Sequence, residues 1–259
     1  MIPADVRSRW RTLLDLGAGP GTATWAAREQ CGNLDSALLV DRSAALLDMA
    51  SRLGRATGAD TSMALCTRVA DIARHAWPSA DLVIVAYALA ELDASSRAAV
   101  LASAWAATGE VLVLVEPGTP DGFGRLREAR TWGLGAGAAV LAPCPHAGTC
   151  PMHGTDWCHF AVRVPRTRRH RQVKGGTLGY EDEKYACLVL ARGDARPVAG
   201  ARVLRHPRIE KGRVGLTLCQ PDGLARVTVT RRDADYRPAR KADWGDAWSG
   251  AADDGESRA

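Results

Sequence analysis

The chain has 259 residues, a hydrophobic content of 46% and a formal net charge of +5. This composition is sufficient for one large domain or for a domain with an insertion. No apolar run approaches the ~18 residues that a membrane-spanning helix requires, so we expect no membrane segment. The N-terminal residues show neither a secretory nor a transit pattern, which predicts a reducing, cytoplasmic setting.

Positive charge is concentrated in the second half of the chain. Residues 1–143 contain 13 Lys and Arg against 15 Asp and Glu, whereas residues 144–241 contain 20 against 9. Residues 242–259 are again acidic, with 1 Lys or Arg against 5 Asp and Glu. Most of the basic residues are arginines, which suit bidentate contacts with phosphate. The distribution indicates a cofactor-binding first half and a polyanion-binding second half.

Short apolar runs alternate with helical segments in the first half. Such runs are typical of a parallel sheet that is covered on both faces. The predicted elements are, in chain order, strand 11–16, helix 22–30, strand 37–40, helix 43–53, strand 69–72, strand 81–87, helix 95–107, strand 110–116 and helix 124–132.

A glycine-rich loop follows the first predicted strand and opens the first helix. Its glycines let the backbone pass close to a ligand, and the helix N-terminus presents free N–H groups. The spacing resembles motif I of class I S-adenosylmethionine-dependent methyltransferases. An acid at the end of the second strand suits ribose hydroxyls, although Asp41 and Asp71 could also serve as helix caps or lie in solvated turns. The predicted cofactor-binding residues are Asp15, Gly17, Gly19, Gly21, Asp41 and Asp71.

Three of the seven cysteines lie close together in a proline-rich segment without hydrophobic periodicity. They are Cys144, Cys150 and Cys158, and the first two are followed directly by proline. Clustered thiolates on a loop suit a soft metal ion or an iron–sulfur cluster. A disulfide loop or chance clustering is the alternative. Cys31, Cys66 and Cys187 lie in predicted helical or strand contexts and are expected in the core.

The interleaved histidines leave the metal open. His146, His153 and His159 could complete a Cys3His zinc site, although each suits a supporting or surface position. Structural zinc usually has ligand pairs two to four residues apart, and the wider spacing here slightly favours an iron–sulfur cluster.

A basic run follows the cysteines and contains no acidic residue. We predict that it binds RNA phosphates, with a solvated surface run as the alternative. Its members are Arg163, Arg166, Arg168, Arg169, Arg171 and Lys174.

The rest of the chain reads as strands with a polar tail. A loop over 174–185 leads into a strand over 186–190, and strands over 214–219 and 224–230 flank a hairpin turn. The predicted organisation is therefore a Rossmann-like core over 1–142, a cysteine-rich basic insertion over 143–180, strands over 181–241 that complete the sheet, and an acidic, disordered tail over 242–259.

Four motifs together resemble one known family. They are Asp-x-Gly-x-Gly-x-Gly at 15–21, Glu-Pro-Gly-Thr-Pro at 116–120, the cysteine segment over 143–160, and Gly-Tyr-Glu-Asp-Glu-Lys at 179–184. The chain resembles the small-ribosomal-subunit Rsm-type methyltransferase-like family, whose mitochondrial members are small-subunit assembly factors. The resemblance extends from Thr12 to about Trp244.

This resemblance implies a specific set of functional expectations. The fold would be an α/β class I S-adenosylmethionine-dependent methyltransferase sheet with a cysteine-rich, basic, metal-binding insertion. A [4Fe–4S] cluster would be bound by Cys144, Cys150, Cys158 and Cys219, with zinc as the alternative. The partner of this monomeric protein would be small-subunit ribosomal RNA or the assembling small subunit.

Catalysis is less clearly indicated. The strand over 81–87 is not followed by the Asp/Asn-Pro-Pro-aromatic motif of amino methyltransferases. Tyr87 or Glu91 could act near the methyl group, although a pocket wall and a helix start suit them better. The sequence therefore identifies no catalytic base. Three functions remain open: an rRNA methyltransferase, a non-catalytic assembly factor that retains the fold, and a zinc-stabilised methyltransferase for another substrate.

Overall fold

The structure, a computed structural model, describes residues 2, 4–56, 63–195, 197 and 199–250. Its strands form a large sheet of eight strands and a small sheet of five. Across these ranges, no helix combines the length and apolarity needed to cross a membrane.

The helices and strands have the following bounds. The helices are α1 (Ala4–Arg7), α2 (Thr22–Gln30), α3 (Ala44–Ala56), α4 (Ala94–Ala107), α5 (Pro120–Gly135), α6 (Arg168–Lys174) and α7 (Tyr236–Lys241). The strands of the large sheet are β1 (Thr12–Leu16), β2 (Ser36–Asp41), β3 (Ala64–Val69), β4 (Ala80–Ala86), β5 (Thr108–Pro117), β6 (Ala139–Ala142), β7 (Phe160–Pro165) and β8 (Tyr180–Ala191). The strands of the small sheet are β9 (Ala201–Val203), β10 (Arg208–Glu210), β11 (Arg213–Gln220), β12 (Gly223–Thr230) and β13 (Ala247–Trp248).

The large sheet has the strand order β3-β2-β1-β4-β5-β8-β6, with β7 paired to β8. Strands β1 to β5 are parallel. Strands β1, β2, β4 and β5 are strongly apolar because both faces of the sheet are covered there, whereas the edge strand β3 is largely exposed. One core contains residues of α4 and α5, and a second core on the other face contains residues of α2 and α3. The other predicted elements of the first half are therefore confirmed. The third strand is displaced: it lies over Ala64–Val69 and shares only Val69 with the predicted strand over 69–72.

The strand order reverses between β1 and β4, so that β2 and β4 lie on either side of β1. In open α/β sheets, ligands bind at the carboxyl ends of the strands beside such a reversal. This arrangement is the α/β fold of class I methyltransferases that the sequence predicts, but its sheet is mixed.

The long strand β8 accounts for the difference from a parallel sheet. It runs antiparallel to β5, β6 and β7. The prediction of a loop over 174–185 is wrong from Tyr180 onward, because the first half of β8 pairs with β7, where Arg163 lies opposite Asp182. This pairing satisfies main-chain groups of a polar stretch that has no apolar periodicity of its own.

The small sheet lies after β8 and has its own hydrophobic core. The predicted hairpin is confirmed, with Gln220 opposite Gly223 in the β11–β12 pair. The expectation that strands over 181–241 complete the large sheet differs from the structure, in which only β8 of that span joins it. The reason is that β9, β11 and β12 bury side chains against one another and against Trp248 of β13 rather than against the large sheet.

Two glycines of helix α5 test how the start of this helix packs against the end of β5. A Cβ atom at Gly122 would lie 2.1 Å from the main-chain oxygen of Pro117, whereas one at Gly124 would have no neighbour within 4 Å. We expect Gly122→Ala to lower the free energy of unfolding by ~1–3 kcal/mol and Gly124→Ala to raise it by up to ~1 kcal/mol. Urea denaturation measures both, and equal stabilities for the two variants would contradict the packing at the start of α5.

Candidate functional site

The glycine loop lies at the carboxyl end of β1, beside the reversal of strand order. Gly17, Gly19 and Gly21 all have positive φ angles, of 76°, 53° and 83°. A Cβ atom at Gly17 would lie only 2.6 Å from the Cβ atom of Ala88, which follows β4. The loop therefore requires glycine for its conformation and for its close contact with the next strand end.

Asp15 lies beneath this loop and is buried. One carboxylate oxygen accepts a hydrogen bond from Thr24 Oγ1 at 2.6 Å, and the other has no partner in the described residues. Burial raises the pKa of Asp15 to about 6, with the nearby Asp41 carboxylate adding to the rise and the Thr24 bonds opposing it. The side chain thus ties the loop to α2 and retains an unused acceptor.

Asp41 ends β2 and supports the loop from the other side. Its two oxygens accept hydrogen bonds from the Gly19 N–H and the Ser43 N–H, both at 2.8 Å. Each oxygen has a second lone pair, so that a ligand hydroxyl could still donate to it. Asp41 therefore combines the capping role with the geometry expected of a ribose-binding acid.

Asp71 lies in the turn after β3 rather than in the strand. It accepts a hydrogen bond from the Ala73 N–H at 3.0 Å and forms an ion pair with Arg74 at 3.0 Å. The structure thus places the predicted cofactor-binding residues at the carboxyl ends of three adjacent strands, β1, β2 and β3.

The segment after β4 brings two further residues to this edge, Tyr87 and Glu91, for which the sequence favoured a pocket wall and a helix start. Tyr87 is the only non-glycine residue with a positive φ, 58°, among the described residues, and it is half exposed. Glu91 forms an ion pair with Arg42 at 3.1 Å, which links the ends of β4 and β2. Positive φ angles at non-glycine residues, such as that of Tyr87, are concentrated at functional sites.

A second candidate site is a pocket between the two sheets, which we call the thiol pocket. The four predicted cysteine ligands all line it, together with a fifth cysteine from β8. These residues come from segments far apart in the chain: Cys144, Cys150, Cys158, Cys187 and Cys219.

The thiols of this pocket are shielded from water. Burial raises the pKa of Cys219 and that of Cys187 to about 12, and neighbouring thiols add to the rise. Burial also raises the pKa of Cys158 well above its ordinary value, followed by the effects of the neighbouring cysteines. Removing protons from several of these groups together therefore requires a cation or a metal in the pocket.

The histidines are separated by the structure. His146 lines the thiol pocket, with its Nε2 atom 3.8 Å from Cys219 Sγ. His159 is instead packed between Trp157 and Trp244. His153 is exposed and contacts the Pro151 carbonyl oxygen at 2.8 Å. Only His146 is therefore available beside the thiols as a fourth zinc ligand.

The thiols share a pocket without forming a closed ion site. In the described part of the chain, no group of three or more His, Cys, Asp or Glu side chains is placed so that it could hold a metal ion. Of the three cysteines expected in the core, Cys31 is buried as predicted, whereas Cys66 is exposed and Cys187 lines the thiol pocket. The prediction was wrong for Cys66 because β3 lies at the sheet edge.

The basic run forms β7 and α6, which lie against the first half of β8. Arg163 binds Asp182 through two hydrogen bonds of 2.7 and 2.9 Å, while Arg166 and Lys174 both pair with Glu181. The absence of acids within the run therefore does not mean that it lacks acidic partners. Those partners come from the adjacent strand and were not identified from the sequence.

Three arginines of α6 remain without such partners. Arg168 and Arg169 are exposed and Arg171 is half-buried. None of the three forms an ion pair with an acidic side chain that the structure describes. Helix α6 therefore presents positive charge to solvent.

Comparison with known proteins gives one consistent result at the sequence level. Residues 5–249 match the family described as mitochondrial small ribosomal subunit Rsm22. The human "Ribosome assembly protein METTL17, mitochondrial" is 33% identical over 91% of this chain and 55% of its own length. A Schizosaccharomyces pombe "Rsm22-cox11 tandem protein 2, mitochondrial" is 24% identical over 95% of this chain and 39% of its own length.

The chain thus spans about half or less of the length of these relatives. Among solved structures, the magnesium protoporphyrin IX methyltransferase of Synechocystis PCC 6803 with bound S-adenosylhomocysteine matches 73% of this chain and 77% of its own, with a TM-score of 0.49 and 13% identity. The match over residues 5–249, together with the identity to the human relative, shows that the chain belongs to the mitochondrial small ribosomal subunit Rsm22 family.

Proposed function

We propose that this chain is a methyltransferase-like assembly factor that binds S-adenosylmethionine and a [4Fe–4S] cluster and docks on small-subunit ribosomal RNA in a reducing cytoplasm. One observation carries the proposal: four cysteines spread over more than seventy positions line one pocket on a class I methyltransferase-like fold. The human relative is named a ribosome assembly protein, which supports the choice of partner.

The glycine loop fits S-adenosylmethionine by its chemistry. When bound, this cofactor supplies an electrophilic methyl group. Gly19 would let the ligand pass because a Cβ atom there would meet only Leu46 Cδ1, at 3.9 Å. Asp41 would accept from the ribose, and the unused oxygen of buried Asp15 would accept from a donor of the ligand or from an intervening water.

Replacing Gly19 tests this assignment. We expect Gly19→Val to reduce cofactor affinity at least about tenfold, because a β-branched side chain at a positive φ costs ~1–2 kcal/mol and fills the space over the loop. Gly137→Val is the matched control, because Gly137 also has a positive φ, 79°, and open surroundings, at the end of α5. Calorimetry that shows equal affinity in both variants, or no binding by the folded parent, would contradict the assignment.

The thiol pocket fits an iron–sulfur cluster by its donor set. Cysteine thiolates are the ordinary ligands of such clusters. Each thiolate of a [4Fe–4S] cluster binds a different iron atom, so the four sulfurs need not converge on one point as they do around zinc. The apolar lining from Met152 and Leu204 would exclude water from the bound group.

Metal analysis of anaerobically purified protein tests the cluster. We expect about four iron atoms per chain, as a [4Fe–4S] site requires. Single replacement by Ser of Cys144, Cys150, Cys158 or Cys219 should abolish iron binding and lower the melting temperature, because the cluster would join segments distant in sequence.

Two controls make this experiment specific. Cys66→Ser, at an exposed position on the far edge of the sheet, and Cys187→Ser, inside the pocket, should both retain iron. One equivalent of zinc without iron would favour the zinc-stabilised alternative and overturn the cluster. Full iron in each of the four ligand variants would overturn the choice of ligands.

The unpaired arginines of α6 are the proposed RNA contacts. Each phosphate contact adds ~0.7–0.9 to the slope of log affinity against log salt. Replacing Arg168, Arg169 and Arg171 by Ala should therefore flatten the slope for small-subunit RNA by about two to three. Arg166 is left intact in this variant because its side chain is largely buried against Glu181.

A charge-matched control separates local contact from net charge. The exposed residues Arg9, Arg52 and Arg55, all outside the β7–α6 unit, are replaced by Ala in the control protein. The control should keep most of the parent slope. Equal slopes for the two triple variants would show that α6 is not the docking surface.

Methyl transfer to RNA is a second candidate function. The observation that favours it is the unusual backbone of Tyr87, at the carboxyl end of β4 beside the glycine loop. Incubation with labelled S-adenosylmethionine and either naked RNA or immature subunits distinguishes an enzyme from an assembly factor that only binds the cofactor.

A further inference from the structure

Two buried arginines line the thiol pocket. Arg130 on α5 is 6% exposed, and Arg202 on β9 is 2% exposed. Arginine is almost never this buried unless it is paired. Neither residue forms an ion pair with an acidic side chain in the part of the chain that the structure describes. Arg202 has only a longer-range electrostatic interaction with Asp246, so the two positive charges lack the close ion pairs that usually accompany a buried arginine.

Main-chain carbonyl groups hold both guanidinium groups in place. Arg130 Nη2 donates to the carbonyl oxygens of His146 and Gly148, at 2.8 and 2.7 Å. Arg202 donates through Nε to the Pro143 carbonyl at 2.9 Å and through Nη1 to the Gly245 carbonyl at 3.0 Å. Each side chain is thereby fixed against the cysteine-bearing segment that follows β6.

These bonds leave a buried nitrogen atom of each arginine without a partner. Arg130 Nε and Arg202 Nη2 have no hydrogen-bond partner among the described residues. His146 also lines the pocket, and its Nδ1 atom is likewise buried without a hydrogen-bond partner among the described residues. A buried unsatisfied polar group costs ~1–3 kcal/mol, and more when it is charged. The two arginine nitrogens can only donate, so their position around one pocket indicates an acceptor that occupies it.

The two arginines are also beside the thiols themselves. Arg202 is the cross-strand partner of Cys219 in the β9–β11 pair. Arg130 lines the same pocket as Cys144 and is bonded to the main chain of the segment that follows this cysteine. The positive charges thus lie on two sides of the sulfur atoms.

We propose that Arg130 and Arg202 are positioning residues that compensate the negative charge of the cluster and donate N–H···S hydrogen bonds to it. This inference rests on the proposed [4Fe–4S] cluster. Four thiolates carry more negative charge than the iron–sulfur core carries positive charge, so the bound group is an anion. Burying an anion is costly unless cations and donors are provided.

The reduction potential is the property that separates this role from a structural one. Reduction adds one negative charge to the cluster, and adjacent cations stabilise that charge. Removing either guanidinium group should therefore make reduction less favourable. A residue that only holds the fold together would change stability without changing the potential.

The experiment compares Arg130→Gln and Arg202→Gln with the parent by an anaerobic redox titration followed by electron paramagnetic resonance. We expect the reduction equilibrium constant to fall about tenfold in each variant, which corresponds to ~59 mV for one electron. Arg192→Gln is the control, because Arg192 also donates to two main-chain carbonyls, of Thr108 and Trp105, and does not line the pocket. It should lower the melting temperature and leave the potential unchanged.

Two further outcomes decide the inference. If the Gln variants lose their iron, Arg130→Lys and Arg202→Lys decide it, because they retain the positive charge: iron kept in the Lys variants supports charge compensation, and iron lost equally overturns it. Gln variants with full iron and the parent potential overturn the inference while leaving the cluster intact. A parent protein without iron overturns the proposed cluster and this inference together.

Discussion

The antiparallel placement of β8 between β5 and β6 is the constraint on which both candidate sites depend. Its second half pairs with β5 over Val111–Pro117 and completes the large sheet. Its first half extends past the end of β5 and pairs with β7. This extension carries Glu181 and Asp182, which bind arginines of the basic run. One strand thus connects the cofactor-binding edge, the cysteine segment and the proposed RNA surface.

The thiol pocket illustrates how a fold can accommodate an anionic group before it is present. Burial raises the pKa values of Cys158, Cys187 and Cys219, which keeps these thiols protonated at neutral pH. Two arginines in the same pocket lack acidic partners among the described residues and are fixed by carbonyl oxygens. Deprotonation of the thiols on binding a metal group would therefore pair charges that are otherwise uncompensated, which couples metal binding to folding.

The two sites also lie close to each other. Cys187, which lines the thiol pocket, is paired in register with Val115 near the carboxyl end of β5. Tyr87, at the carboxyl end of β4, has a raised pKa that is due first to burial and then to Glu183, Glu116 and Cys187. The carboxyl ends of β4 and β5 thus bring the cofactor-binding edge near the thiol pocket.

The sequence alone determined the local features of this protein. The strand, glycine loop and first helix follow from residues that are neighbours in the chain, and so does the β11–β12 hairpin, because periodicity and turn chemistry act over a few residues. The four cysteines were identified by a resemblance. Only the tertiary structure decided what surrounds them: the cysteine of β8, the acids opposite the basic run, and Arg202, which bonds Pro143 across 59 positions. Such contacts depend on the order and direction of strands, and no local pattern records these.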